Sequence, residues 1–138
     1  MGGDAPYRCV PDLLAAWAER APDAPAILAP GRAPLTYGAL ARQAEATGRT
    51  LSRLGVGGQD RIALIVPNGP ELAAAVLEVA AHAVAAPLNP DLPASDLTAA
   101  LEAPRTPGPR RGVEAVVDAP GVEAERVRSE PRAHPRYR

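Results

Sequence analysis

Asp60–Pro90, DRIALIVPNGPELAAAVLEVAAHAVAAPLNP, decides the fold. Within it Ile62–Val66 is apolar without a break, flanked by Arg61 and Pro67. A strand with one wet face alternates apolar and polar residues; a strand buried on both faces does not, so this run predicts a central strand. Asn68 then offers a helix cap, Pro70 suits a first helical turn, and Glu71 sits beside the positive end of the helix dipole. Leu72, Ala75, Val76, Val79 and Ala80 recur at helical spacing and form an apolar face. Ala83–Leu88 returns as a second strand, closed by Asn89-Pro90. Strand, helix, strand is the unit of a parallel sheet, with a crossover that is right-handed on general grounds. The expected fold class is therefore α/β: a small parallel or mixed sheet with flanking helices.

Upstream, residues 1–10 read as a loose lead-in. Pro11-Asp12 opens a helix to about Ala21, with Leu13, Leu14, Trp17 and Ala18 on one face and Pro22-Asp23 as its stop. Trp17 reads as a packing anchor. Ala26–Ala29 is a short apolar strand, Pro30-Gly31 a turn, and Pro34–Tyr37 a hairpin partner. Thr36 caps the next helix, Tyr37 to Leu54, whose stripe is Leu40, Ala44, Thr47, Leu51 and Leu54. Glu45 and Arg49 form an i,i+4 pair on its outer face. Gly55 ends it in the left-handed conformation, and Gly57-Gly58 loosens the link to the next strand.

Downstream, Ser95 or Asp96 starts a short helix to about Glu102. Residues 103–138 then hold six prolines and eight arginines and neither Leu nor Ile. Val113–Val117 is the only segment there that reads as a strand, and the remainder is expected to be disordered. The expected organisation is thus residues 1–10 as a loose terminus, 11–102 as a partial domain, and 103–138 as a Pro/Arg-rich tail.

Composition bounds the function. The chain of 138 residues is long enough for one domain and too short for two. Apolar residues make up 46%, yet many are alanine and Phe is absent, so buried area per residue, at about 25 cal/mol/Å², is modest. The net charge of −1 gives no reason to expect a nucleic-acid or membrane partner. All 15 basic residues are Arg. Cys9 stands alone, which excludes an internal disulfide and a cysteine zinc site and suits a reduced, cytoplasmic chain. No signal peptide is visible, and Glu78, His82 and Pro87 interrupt the long apolar run Leu72–Leu88.

In order along the chain, Arg20–Pro25 (RAPDAP), Leu35–Leu40 (LTYGAL), Leu54–Asn68 (LGVGGQDRIALIVPN) and Ala85–Pro90 (AAPLNP) resemble successive phrases of the adenylate-forming enzymes. These are the AMP-binding acyl- and aryl-CoA synthetases and ligases, adenylation domains and luciferases. Leu13–Leu101 resembles the N-terminal part of that family, and AAPLNP leans toward small-acid CoA ligases. Ala39 replaces the Glu of a capping box, Gln59 replaces a Gly before Asp60, and His82-Ala83 replaces a small-Gly step.

The resemblance implies ATP-dependent activation of a carboxylic acid to an acyl-adenylate and then thioester formation, with ATP, magnesium and coenzyme A as family cofactors. It also implies a phosphate loop rich in Ser, Thr and Gly with a Lys, and a catalytic Lys in a separate C-terminal domain. This chain contains neither that loop nor any lysine. Whether it is an enzyme is left undecided: no residue receives a catalytic, cofactor-binding or metal-binding role, and no cofactor is expected in this chain. His82 and His134 lie far apart without a carboxylate cluster. Ser52, Ser95 and Ser129 lack a nucleophile elbow. Gly55–Gly58 precedes a strand, whereas a phosphate turn precedes a helix. The expected function is a truncated acid–CoA ligase-like protein, inactive alone. The alternatives are a subunit of a split ligase, partnered by a chain with the rest of the domain, or a non-catalytic binding module. Val113–Pro120 is either the next family strand or unrelated sequence after a truncation or frameshift. In a truncated domain, Ile62–Val66 and the helix after it would lose neighbours and expose apolar surface.

Overall fold

The computed structural model describes residues 9–102, 113–117 and 124–126, and the side chains of residues 9–101. The elements in order are α1 (Val10–Arg20), β1 (Pro25–Ile27), β2 (Leu35–Thr36), α2 (Tyr37–Arg53), β3 (Arg61–Leu64), α3 (Pro70–Ala80), β4 (Val84–Pro87), α4 (Ala94–Glu102), β5 (Val113–Val117) and β6 (Ala124–Arg126). The chain is α/β with a mixed sheet. The larger sheet has the order β4-β3-β5-β6. β3 runs parallel to β4 and to β5, and β6 closes the far edge antiparallel to β5.

β3 is central, as the unbroken apolar run requires. Ile62 and Leu64 pack with Leu51, Val56 and Val79, while Ala63 and Ile65 point to the other face against Leu97 of α4. Successive side chains alternate between faces, so a strand covered on both sides must be apolar at every position. Regular pairing stops at Leu64, but Ile65 and Val66 stay buried. The strand is therefore not bared: the chain's own α3 and α4 cover it. Of the expected apolar face of α3, Val79 is fully buried and Leu72, Ala75 and Val76 are half-buried.

α2 follows its signals closely. The Thr36 hydroxyl accepts the Ala39 N–H at 3.2 Å. Leu40, Ala44, Thr47 and Leu51 are buried, as the stripe predicts. At its C-terminus Gly55 takes φ 71°, which lets Val56 N–H reach Leu51 O at 2.9 Å and Gly55 N–H reach Ser52 O at 3.0 Å. Asp60 accepts the Gly57 N–H at 2.7 Å and shapes the turn into β3.

Four expectations are corrected. Asn68 does not cap α3. Gly69 intervenes as N-cap with no side-chain bond, and Pro70 starts the helix, so Asn68 lies one residue too early to reach the first free N–H groups. Leu13 and Trp17 do not bury with Leu14; they are 40% and 38% exposed. α1 is an outer helix packed on α2, so only a narrow stripe is covered. Trp17 anchors instead by stacking on Tyr37, with ring centroids 5.3 Å apart. Finally, β6 is a second strand beyond Val113–Val117. Three residues carry too little pattern to announce a strand, and its pairing with β5 defines it. The hairpin strands β1 and β2 are also shorter than expected, with a register irregularity between Pro25 and Ile27. The expectations for residues 1–8 and for the rest of the tail lie outside the described residues.

Candidate ligand cleft

α3 is a middle layer. Residues 72, 75, 76 and 79 face the sheet, whereas Ala74, Leu77 and Ala81 pack into the cluster of Leu14, Leu40 and Ala44 beneath α1 and α2. A helix covered on two sides must bury part of its polar side as well. Glu78 is that part: it is 7% exposed and accepts a hydrogen bond from the buried Thr47 hydroxyl of α2 at 2.9 Å.

Beside this pair lies a cavity of about 520 Å³ between the β1–β2 hairpin, α2 and α3. Its walls mix apolar side chains such as Ile27, Leu35 and Val66 with Gln43, Thr50 and Glu78. That volume lies within the roughly 300–1,000 Å³ typical of small-molecule sites. Arg32 and Glu71 also line it and pair with each other. Backbone hydrogen bonding, and then Arg32, hold the Glu71 carboxyl below its ordinary value. Among the described residues the cavity lining therefore carries two carboxylates and one guanidinium, and the guanidinium is already engaged by Glu71. The arrangement suits binding.

His82, weighed in the sequence as a structural or solvated residue, is structural. Its Nε2–H donates to Ala44 O at 2.7 Å; a carbonyl only accepts, so that nitrogen carries the proton. Cys9 is exposed ahead of α1. Ser95 bonds its neighbour Asp96 at 3.4 Å. His134 and Ser129 lie outside the described residues. Among the described residues no group of three or more His, Cys, Asp or Glu is placed to hold a metal ion, and no helix is long and apolar enough to cross a membrane. Sequence reasoning missed Glu78 as a site residue. The available signal was a carboxylate inside an otherwise apolar run, with Thr47 on the buried stripe of the neighbouring helix.

A model of the family described as AMP-binding enzyme matches residues 14–106. No curated protein matches the chain. Among solved structures the chain is similar to a Mycobacterium tuberculosis fatty acyl CoA synthetase, at 28% identity and a TM-score of 0.60, covering 68% of this chain and 19% of that one. It is also similar to the Klebsiella oxytoca NpsA N-terminal subdomain in complex with 3-hydroxyanthranilyl-AMSN, at 28% identity and a TM-score of 0.58, covering 67% of this chain and 24% of that one. A third similar structure is the N-terminal domain of FACL13 from Mycobacterium tuberculosis, at 28% identity and a TM-score of 0.61, covering 70% of this chain and 25% of that one. The chain thus spans a quarter or less of the length of these structures.

Proposed function

This chain belongs to the family of AMP-binding enzymes, and on that premise we propose that it supplies the N-terminal scaffold of an acid–CoA ligase-like protein and does not activate a carboxylic acid by itself. The supporting observation is that the family match falls on scaffold elements in a chain without a single lysine. Phosphoryl and adenylyl chemistry depends on cations and donors positioned around the phosphates. Glu78 and the Arg32–Glu71 pair do not provide such a cradle, because the one guanidinium is occupied and the buried charge is negative. In the split-ligase version of this reading ATP, magnesium and coenzyme A are handled by a second polypeptide that carries the phosphate loop and the catalytic lysine. The compartment is the cytoplasm, with no nucleic-acid or membrane partner.

The test is ATP–pyrophosphate exchange by the purified chain with a panel of carboxylic acids. Exchange at background is expected; robust exchange without a partner overturns the proposal. Reading the DNA beyond Arg138 in all frames distinguishes the versions. A frame encoding the phosphate loop favours a split or interrupted ligase, and its product, added to the chain, should restore exchange if the gene is split.

A second reading, a non-catalytic module on the ligase scaffold, is favoured by one observation. β3 is buried on both faces by helices of this same chain. Cooperative unfolding of a monomer at micromolar concentration would support it, and aggregation would count against it.

A further inference from the structure

We propose that the cleft between the β1–β2 hairpin, α2 and α3 binds a small organic cation, an amidinium or primary ammonium on a compact apolar body, with Glu78 as its anchor. The inference is independent of the ligase reading and rests on three observations. Glu78 is more than nine-tenths buried, and a buried charge is ordinarily paired or bound to a cation. Its hydrogen bond comes from the uncharged Thr47 hydroxyl, so the carboxylate retains acceptor capacity toward the cavity it lines. Among the described residues Arg32 is the one cation lining the cleft, and it is paired with Glu71, about two helical turns before Glu78.

The remaining wall selects the body of the ligand. Ile27, Leu35, Val66 and Ala75 form an apolar lining, which favours a ring or short branched chain over a polyol or a phosphate. Two lining carboxylates against one guanidinium make the local charge negative, so an anion of the same shape is disfavoured. An amidinium presents two parallel N–H donors, which match a carboxylate edge to edge.

The experiment is a titration of the full chain, followed by backbone amide NMR, with three isosteric probes: benzamidinium, benzamide and benzoate. Benzamidinium is expected to give saturable shifts concentrated on Ala46, Thr47, Ala74 and Ala75. Neutral benzamide should bind about tenfold more weakly, because its amide donor carries no charge to pair with the carboxylate. Benzoate should give no saturable shift. Glu78→Gln keeps an acceptor for Thr47 and should weaken benzamidinium by about tenfold or more. Benzoate binding as well as benzamidinium, unchanged binding in Glu78→Gln, or no saturable shift with any probe overturns the proposal. If Glu78→Gln does not fold, the ranking of the three probes on the native chain decides.

Discussion

His82 occupies the space that a side chain at Gly48 would need. Its ring lies across the α2 backbone, bonded to Ala44 O at 2.7 Å, and a Cβ built on Gly48 would come within 2.8 Å of Nδ1. The contact ties the C-terminal end of α3 to the middle of α2. It also explains a glycine inside a long helix, where the residue otherwise costs about 1 kcal/mol relative to Ala. Gly48→Ala should therefore destabilise the chain by about 1–3 kcal/mol, because the imidazole must leave and its hydrogen bond is lost. In a His82→Ala background the same change should stabilise, by up to about 1 kcal/mol. Urea unfolding of the four members of this cycle checks it. Additive effects of the two substitutions would show that the ring does not depend on the missing side chain.

The Thr47–Glu78 pair should behave as a unit. Thr47→Val removes the donor and leaves a buried carboxylate poorly satisfied, a loss of about 1–3 kcal/mol. Thr47→Val combined with Glu78→Leu replaces both polar groups by apolar ones and should recover most of that loss. Denaturant midpoints of the two singles and the double measure the coupling. A double mutant as unstable as the sum of its singles contradicts it.

Glu71 gives stability a pH dependence of known sign. Its carboxyl titrates below 4.5, first because of backbone hydrogen bonding and second because of Arg32. A carboxyl whose folded pKa is depressed contributes stability above its unfolded pKa and loses it as pH falls through the folded one. Stability should thus decline on acidification below about that ordinary value, and Glu71→Gln should lessen the decline. A carboxyl-detected NMR titration should find the Glu71 midpoint low in the native chain. In Arg32→Gln the midpoint should rise only part of the way, since the backbone bond remains. A complete return would reverse the order of the two causes.

The cap of α2 and its termination are separable from the cleft. Thr36→Ala removes the acceptor for Ala39 N–H and should cost about 1 kcal/mol. Gly55→Ala forces a side chain into φ 71° and should cost about the same. Neither residue lines the cavity, so thermal unfolding should shift while probe affinity stays constant. A loss of affinity in either variant would mean that α2 positions the cleft through its ends.

Solvated surface pairs should matter little. Glu45 and Arg49 lie 3.8 Å apart, with side chains 75% and 60% exposed. Pairs of this kind contribute at most a few tenths of a kcal/mol on a helix. Arg49→Ala should leave the unfolding midpoint nearly unchanged, and a large shift would reveal a role for Arg49 outside the pair.

The parts of the fold legible in the sequence are those set by local physics. Unbroken apolarity in Ile62–Val66 marks two-sided burial wherever it occurs. Thr36 and Gly55 bound α2 because capping and left-handed termination involve residues a few positions apart. The order of elements followed from such signals, whereas the family was read from the resemblance of four phrases in order along the chain. The Asn68 cap failed on the same scale: a single residue, Gly69, separated it from the helix start.

Tertiary structure alone decided the cleft and its chemistry. Thr47 and Glu78 are 31 positions apart, and His82 and Ala44 are 38 apart, so no local period relates them. The deciding fact is that α3 lies between the sheet and the outer helices. Helical spacing marked the one face of α3 that meets the sheet. Only the packing of α2 against the opposite face turned Glu78 from an interruption of an apolar run into a buried carboxylate, because burial depends on what covers a residue and not on the residue itself.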